Sequence, residues 1–338
     1  MMGAVFLTGA TGFVGREILS RFLERDDRHV YALVRADNDD EAAGRLPAHD
    51  RLTAVAGDIE KRGLGLADPT RERLRGEVGT VLHCAASVSF DLPLAESRSV
   101  NVEGTRRMVD FARSCSRLER FSYVSTAYVA GEPGRLFRED ELAVGQSFRN
   151  PYERSKFEAE LAVRSEGSDL PVQILRPSIV VGDSTTGRTS SFNVLYGPLK
   201  AYARGLVRAI PAHRSAPVDI VPVDYVADRT HELATSGPDG TFHLVAGRNA
   251  TTVGRLLDMS SEELGRSKPA VLPPTLYRRW VHPWLRRKYP ALRRMEVYFP
   301  YFEMKVRFDD RRLGPGPKVD RYFHRLVRYA ERARWGRR

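Results

Sequence analysis

The apolar run Ala4–Thr8 leads directly into Gly9-Ala10-Thr11-Gly12-Phe13-Val14-Gly15, after which a helical pattern runs to about residue 24. No other stretch restricts the fold so tightly. Glycines three apart between a strand and a helix give a tight turn, a close backbone approach to a pyrophosphate, and close helix-to-strand packing. The helix N-terminus adds unpaired N–H groups and a dipole that favour an anion. Gly9, Thr11, Gly12, Phe13, Val14 and Gly15 are therefore expected to form a nucleotide-binding loop.

The pattern that follows alternates. Strands are expected at 29–34, 52–56, 80–84, 120–124 and 171–175, with helices between them, notably 95–114 and 152–165. Strands alternating with helices imply an α/β fold, a doubly wound parallel Rossmann sheet with its ligand at the C-terminal strand ends. Gly9, Arg35, Asp58, Ala85-Ala86 and Ser125-Thr126 all fall at such ends. Beyond Arg176 the alternation loosens. Residues 183–191 read as a loop, 192–209 as a helix and 218–221 as a short strand. Asp224 is placed to cap a helix to 233, and a strand follows at 240–245. Thr251 or Thr252 is placed to cap a helix to about 264. The expected division is a Rossmann core at 1–176, a smaller substrate-binding region at 177–270 interleaved with late sheet elements, and a C-terminal extension at 271–338.

Two side chains suggest chemistry. Tyr152 and Lys156 are four apart, which stacks them on one helix face about 6 Å apart along the axis. An ammonium beside a phenol favours the phenolate, so the tyrosine pKa is expected to fall, and such a group exchanges a proton with a substrate oxygen. The same spacing is also that of an ordinary amphipathic pair. Arg35, directly after the second strand, suits a ribose 2′-phosphate, where NAD sites usually carry an acid. Arg16 is placed to join it, and NADP(H) is preferred over NAD, although Asp37 lies close by.

Composition excludes several classes. With 42% hydrophobic and 29% charged residues the chain is an ordinary globular one. Two cysteines make no disulfide framework, no metal-ligand cluster is visible, and no apolar run reaches membrane-spanning length. No basic, apolar leader opens the chain, and a cytoplasmic location is the expectation. The net charge of +11 is uneven: from Val271 onward 19 Lys/Arg face 6 Asp/Glu, while the rest is slightly acidic. There Tyr277-Arg278-Arg279-Trp280 and Trp284-Leu285-Arg286-Arg287-Lys288-Tyr289 interleave aromatics with cations. The last segment places Val319, Tyr322, Phe323, Leu326, Val327 and Ala330 on one helical stripe. This extension reads as a packed helix with a solvated basic face, as a docking surface for an anionic carrier or nucleotide, or as an attachment to an anionic membrane surface. No nucleic-acid module accompanies it, and no nucleic-acid role is expected.

Taken together, the glycine loop and the Tyr152/Lys156 pair resemble the extended short-chain dehydrogenase/reductases. Further stretches are similar to the thioester-reductase branch, the fatty acyl-CoA reductases and the terminal reductase domains of carboxylic acid reductases and peptide synthetases. They are Ala32-Leu33-Val34-Arg35-Ala36, Gly57-Asp58-Ile59, His83-Cys84-Ala85-Ala86-Ser87-Val88-Ser89-Phe90, Asn101-Val102-Glu103-Gly104-Thr105, Val124-Ser125-Thr126-Ala127-Tyr128 and Arg176-Pro177-Ser178-Ile179-Val180-Val181-Gly182. The resemblance covers residues 4–265 and implies a Thr126–Tyr152–Lys156 triad, with Tyr152 as proton donor and Lys156 holding the nicotinamide ribose. Asn101 would help to hold a water near the lysine. Asp58 and Ile59 would flank the adenine, Ala85 and Ala86 would line the cofactor path, and Pro177, Ser178 and Ile179 would sit against the nicotinamide. Ser87, Phe90, Ser125, Phe192 and Tyr196 would border the substrate. The implied reaction is NADPH-dependent reduction of an acyl thioester to an aldehyde, and to an alcohol if the aldehyde is retained. No adenylation or carrier segment is found, so the substrate is expected preactivated, as acyl-CoA or on a separate carrier protein. A secondary-alcohol oxidoreductase or epimerase would use the same triad, and a non-catalytic cofactor-binding module is a third reading.

Overall fold

A computed structural model describes residues 3–192, 194–277, 279 and 300–336. The chain divides into two compact units. The first takes in 1–131, 139–177 and 225–244, and the second 132–138, 178–224 and 245–338.

The first unit is built on seven parallel strands: β1 (Ala4–Thr8), β2 (Val30–Val34), β3 (Leu52–Ala56), β4 (Val78–His83), β5 (Arg120–Val124), β6 (Val172–Pro177) and β7 (Gly240–Leu244). Their order is β3-β2-β1-β4-β5-β6-β7. This is the doubly wound Rossmann arrangement expected from the sequence. The strand order reverses between β1 and β4, where a crevice opens at the carboxyl ends. Strands such as Val-Tyr-Ala-Leu-Val in β2 are buried along their whole length, as a sheet covered on both faces requires. Ile18, Leu19 and Phe22 of helix α1 (Phe13–Arg25) cover one face together with Ala227 and Ala234. Met108, Val109 and Ala112 of α2 (Gly104–Ser114), with Ala159 and Val163 of α3 (Pro151–Glu166), cover the other.

The helix expected over 95–114 is broken. An α-helical turn at Leu94–Arg98 passes through a π-helical stretch, Ser99–Glu103, before α2 begins. Two local features accompany the break. The Thr105 hydroxyl donates to the Asn101 carbonyl at 2.6 Å, and a Cβ on Gly104 would come within 2.9 Å of Ile59 Cδ1.

The second unit departs further from expectation. Only Tyr196–Ala203 of the predicted 192–209 helix forms, because Gly205 turns the chain at φ +70°. The expected strand at 218–221 splits into Pro217–Val218 and Ile220–Pro222. Between them the Asp219 carboxylate accepts from the Ala246 and Gly247 N–H groups at 2.7 and 2.8 Å. Asp224 does not cap a helix. It lies inside Val223–Ser236 and accepts instead from Ser184 N and Oγ. Thr252 caps Val253–Leu264, accepting from Arg255 N at 3.2 Å.

In the C-terminal extension Val319, Tyr322, Phe323, Leu326, Val327 and Ala330 are all buried, while Arg321, Arg325 and Arg328 face outward. The helix Phe323–Arg332 is thus a packed helix with a basic outer face. Arg278, Trp280 and the 284–289 cluster lie outside the described residues. Among the described residues no helix is long and apolar enough to cross a membrane, and no three metal-binding side chains converge.

Candidate active site

The loop after β1 is shaped by backbone crowding. Gly9 sits at φ +80°, and a Cβ there would lie 2.8 Å from Ala85 N. A Cβ on Gly15 would collide with the Gly9 carbonyl oxygen. Helix α1 starts from exposed Gly12, which brings no capping side chain, and its first turn holds no acid. Its leading N–H groups therefore offer an anion site whose dipole no carboxylate offsets. Arg16 Nε donates to the Thr11 carbonyl at 3.1 Å, so this side chain folds over the loop. Ala85 and Ala86 follow β4 as half-buried residues.

A polar cleft opens past β2 and β3, bordered by Arg35, Asp37, Glu41, Asp58 and Lys61. Arg35 is 65% exposed and bridges Asp58 Oδ2 at 3.2 Å and Glu60 Oε1 at 2.8 Å. Ile59 is buried beneath. The glycine cradle, the open helix terminus and this cleft fit a dinucleotide. Arg35 and Lys61 are the cations on the cleft's rim.

Helix α3 presents the candidate catalytic pair. Asn150 caps it by accepting from Glu153 N at 2.9 Å, and the Glu153 carboxylate accepts from the N–H of the preceding Arg149 at 3.1 Å. These two contacts and Pro151 in the first turn hold the start of the helix firmly. Tyr152 is half-buried, with its ring 5.7 Å from that of Phe90 and its hydroxyl facing the Thr126 hydroxyl. Thr126 Oγ1 donates to the Pro177 carbonyl at 3.4 Å and accepts from Tyr128 N. Lys156 is buried. Its Nζ donates to the Val124 carbonyl at 2.8 Å and sits 4.3 Å from the centre of the Tyr123 ring.

The electrostatics correct one expectation. Burial pushes the Tyr152 phenol up to about 12, against a downward pull from Thr126. Burial also holds Lys156 down to about 7, opposed by Cys84 and Glu160. Desolvation disfavours the charged form of both groups and is the largest influence on each. The phenol is therefore in its protonated form at neutral pH.

Asn101 has its side-chain amide engaged. Oδ1 accepts from Ser87 N at 2.8 Å, while Nδ2 donates to Ser87 O at 3.0 Å and to Ser155 Oγ at 2.9 Å. It clamps the loop after β4 to α3. Ser125 gives its hydroxyl to Glu160 Oε2 at 2.7 Å rather than turning it to open space. Ser178 is buried and Ile179 pairs with Ile220 in the second unit. There the Tyr196 hydroxyl accepts from Gly182 N at 3.0 Å, with the Phe192 ring 5.4 Å away edge-on. Ile179 also lines a mainly apolar cavity of about 120 Å³, partly open to solvent, with Leu199, Tyr202, Ile210 and Leu257.

Sequence reasoning missed His83, Glu160 and Arg176. Thr8 Oγ1 accepts from the N–H groups of Cys84 and Ala85 at 3.2 and 3.1 Å, so its own proton goes to His83 Nδ1 at 2.8 Å. Nε2 then carries the ring proton and donates to Thr105 Oγ1 at 3.1 Å, which donates to Asn101 O. Burial, with the Lys156 charge nearby, holds His83 down to about 3, so the ring is neutral. No local pattern announces this chain, because its members lie on four different elements.

Residues 7–230 match the family model described as male sterility protein, an NAD-binding family. Fatty acyl-CoA reductase 1 of Gallus gallus is 28% identical over 274 residues, covering 67% of this chain and 53% of that protein. The carboxylic acid reductase of Mycobacterium marinum is 31% identical over 284 residues, covering 71% of this chain and 24% of that protein. The chain thus spans about half or less of these relatives. Among solved structures, the terminal R domain from the myxalamid PKS-NRPS biosynthetic pathway superposes with a TM-score of 0.85 at 27% identity, over 99% of this chain and 92% of that one. The chain belongs to the male sterility family of NAD-binding proteins, within the NAD(P)-dependent reductases of the extended short-chain type.

Proposed function

We propose that this chain reduces an acyl thioester, presented as acyl-CoA or on a carrier protein, to the aldehyde, with NADPH as reductant. The observation that carries the reading is the placement of Tyr152 beside the Thr126 hydroxyl, one helical turn from Lys156. The Tyr152 O–H, joined by the Thr126 hydroxyl once that turns from the Pro177 carbonyl, suits an oxygen on which negative charge develops, the stabilisation that usually contributes most to such reactions. NADPH, when bound, supplies a hydride to the carbonyl carbon. Thr126 holds the carbonyl oxygen, and Tyr152 passes it a proton as the charge builds. When the resulting thiohemiacetal collapses, the C–S bond breaks, the thiol leaves with a proton, and the aldehyde remains. The phenol is protonated at working pH, the form a proton donor needs. Lys156 stabilises the developing phenolate to the extent that it is charged. The relatives named above are reductases of acyl-CoA and carboxylic acids by their printed names, in keeping with this direction. Arg35 is assigned the 2′-phosphate, displacing its pairing with Asp58 and Glu60.

The test follows NADPH and NADH consumption with acyl-CoAs, the matching free acids and the aldehydes. NADPH oxidation with acyl-CoA but not free acid, accompanied by thiol release, is the expected result. Silence with all thioesters, together with activity on secondary alcohols or ketones, overturns it.

A further inference from the structure

Beneath the candidate catalytic side chains lies an ion pair that neither the loop nor the triad explains. Glu160 and Arg176 are both fully buried, and Arg176 is the largest completely buried side chain among the described residues. Arg176 grips Glu160 with two donors, Nε to Oε2 at 3.1 Å and Nη2 to Oε1 at 2.6 Å. Its other contacts run to the carbonyls of Glu139 at 3.3 Å and Glu141 at 2.7 Å, and to His243 Nε2 at 3.2 Å. Glu160 also accepts from Arg164 Nε at 3.2 Å and from Ser125 Oγ at 2.7 Å.

A pair of this kind is weak as a source of stability. Desolvating both ions offsets much of their attraction, and apolar replacements of similar volume are often as stable. What distinguishes it is its attachment points. Glu160 is one turn beyond Lys156 on α3. Ser125 immediately precedes Thr126 at the end of β5. Arg176 immediately precedes Pro177, whose carbonyl accepts from Thr126. Three separate elements that carry the candidate site meet on one carboxylate.

Building on the functional reading above, we infer that Glu160, held by Arg176, is a positioning residue that locks the strand end bearing Thr126 against the helix bearing Tyr152 and Lys156. Its carboxylate also supports the Lys156 ammonium. The groups that bear on that ammonium are His83 and Cys84 at the end of β4, the Tyr123 ring and Val124 carbonyl of β5, and Glu160 from its own helix. Glu160 is the acid among them.

Two variants separate the parts. Ser125→Ala removes one hydroxyl and leaves the pair intact. Its kcat is expected to fall by on the order of tenfold through misplacement of Thr126, with KM and NADPH affinity little changed. The Lys156 titration midpoint, read by isotope-labelled lysine NMR on substrate-free protein, should not move. Glu160→Gln keeps an acceptor for Ser125 but removes the charge. It should lower kcat and also shift the Lys156 midpoint downward. A folded Ser125→Ala protein with undiminished kcat, or one whose kcat and nucleotide affinity fall together, overturns the inference, as does an unmoved lysine midpoint in Glu160→Gln. Should the wild-type protein turn over no thioester, the functional reading fails and the lysine midpoint still decides the role of Glu160.

Discussion

Arg35 and Arg176 both stand at the carboxyl ends of strands in one sheet, and both are paired with carboxylates, yet they are opposite kinds of residue. Arg35 is 65% exposed and touches Asp58 and Glu60 at the edge of an open cleft. Arg176 and its partner Glu160 are closed off from water altogether. An exposed pair contributes about 0–1 kcal/mol, is screened by salt, and gives way readily to a better anion. A buried one cannot be opened without stranding a charge. Pairing alone therefore says nothing of role: water access makes one arginine ready for a ligand and commits the other to the framework.

That contrast breaks most visibly in stability. Arg176→Ala leaves Glu160 buried without compensation and should cost about 3–5 kcal/mol in urea unfolding, whereas Arg35→Ala should stay within about 0.5 kcal/mol. Equal losses would erase the distinction. The buried side extends to His83, whose pKa lies near 3 when folded against an unfolded value near 6.5. A depressed folded pKa means that the unfolded chain binds the proton first. Its contribution is complete above about pH 6.5 and is lost as pH falls toward 3, by a few kcal/mol at most. The difference in unfolding free energy between wild type and His83→Gln, followed across that window, should shrink accordingly, and a constant difference would contradict a buried neutral ring. On the exposed side, Arg35→Ala should weaken NADPH by roughly ten- to a hundredfold, the range of a lost charge-assisted hydrogen bond, and leave NADH nearly unaffected. An equal loss for both nucleotides would remove Arg35 from the 2′-phosphate site.

How much of this was legible follows the same divide between local and long-range. The glycine loop, the alternation of strands and helices in the first unit and the helix carrying Tyr152 and Lys156 are written in nearby residues, because turns and periodicity act within a few positions. A bend at Asn101 was one reading of that residue, but the π-helical form of Ser99–Glu103 was not legible; the Thr105 contact to Asn101 and the close packing of Gly104 on Ile59 accompany it. The Glu160–Arg176 hub was invisible for a related reason. Glu160 reads as one more polar residue of an amphipathic helix until the fold brings Arg176 onto it. The tyrosine titration was misjudged because spacing shows which groups are neighbours and not how dry their surroundings are. In the second unit, Asp219 and Asp224 spend their carboxylates on distant backbone and Ser184, contacts that no local pattern encodes.

The central claim is that Tyr152 is the proton donor of a nicotinamide-dependent thioester reduction. The most direct measurement is the turnover of Tyr152→Phe with acyl-CoA beside its NADPH binding curve. A fall in kcat of roughly a hundredfold or more, with nucleotide affinity nearly unchanged, is the predicted result. Turnover that survives the loss of this one hydroxyl would contradict the account.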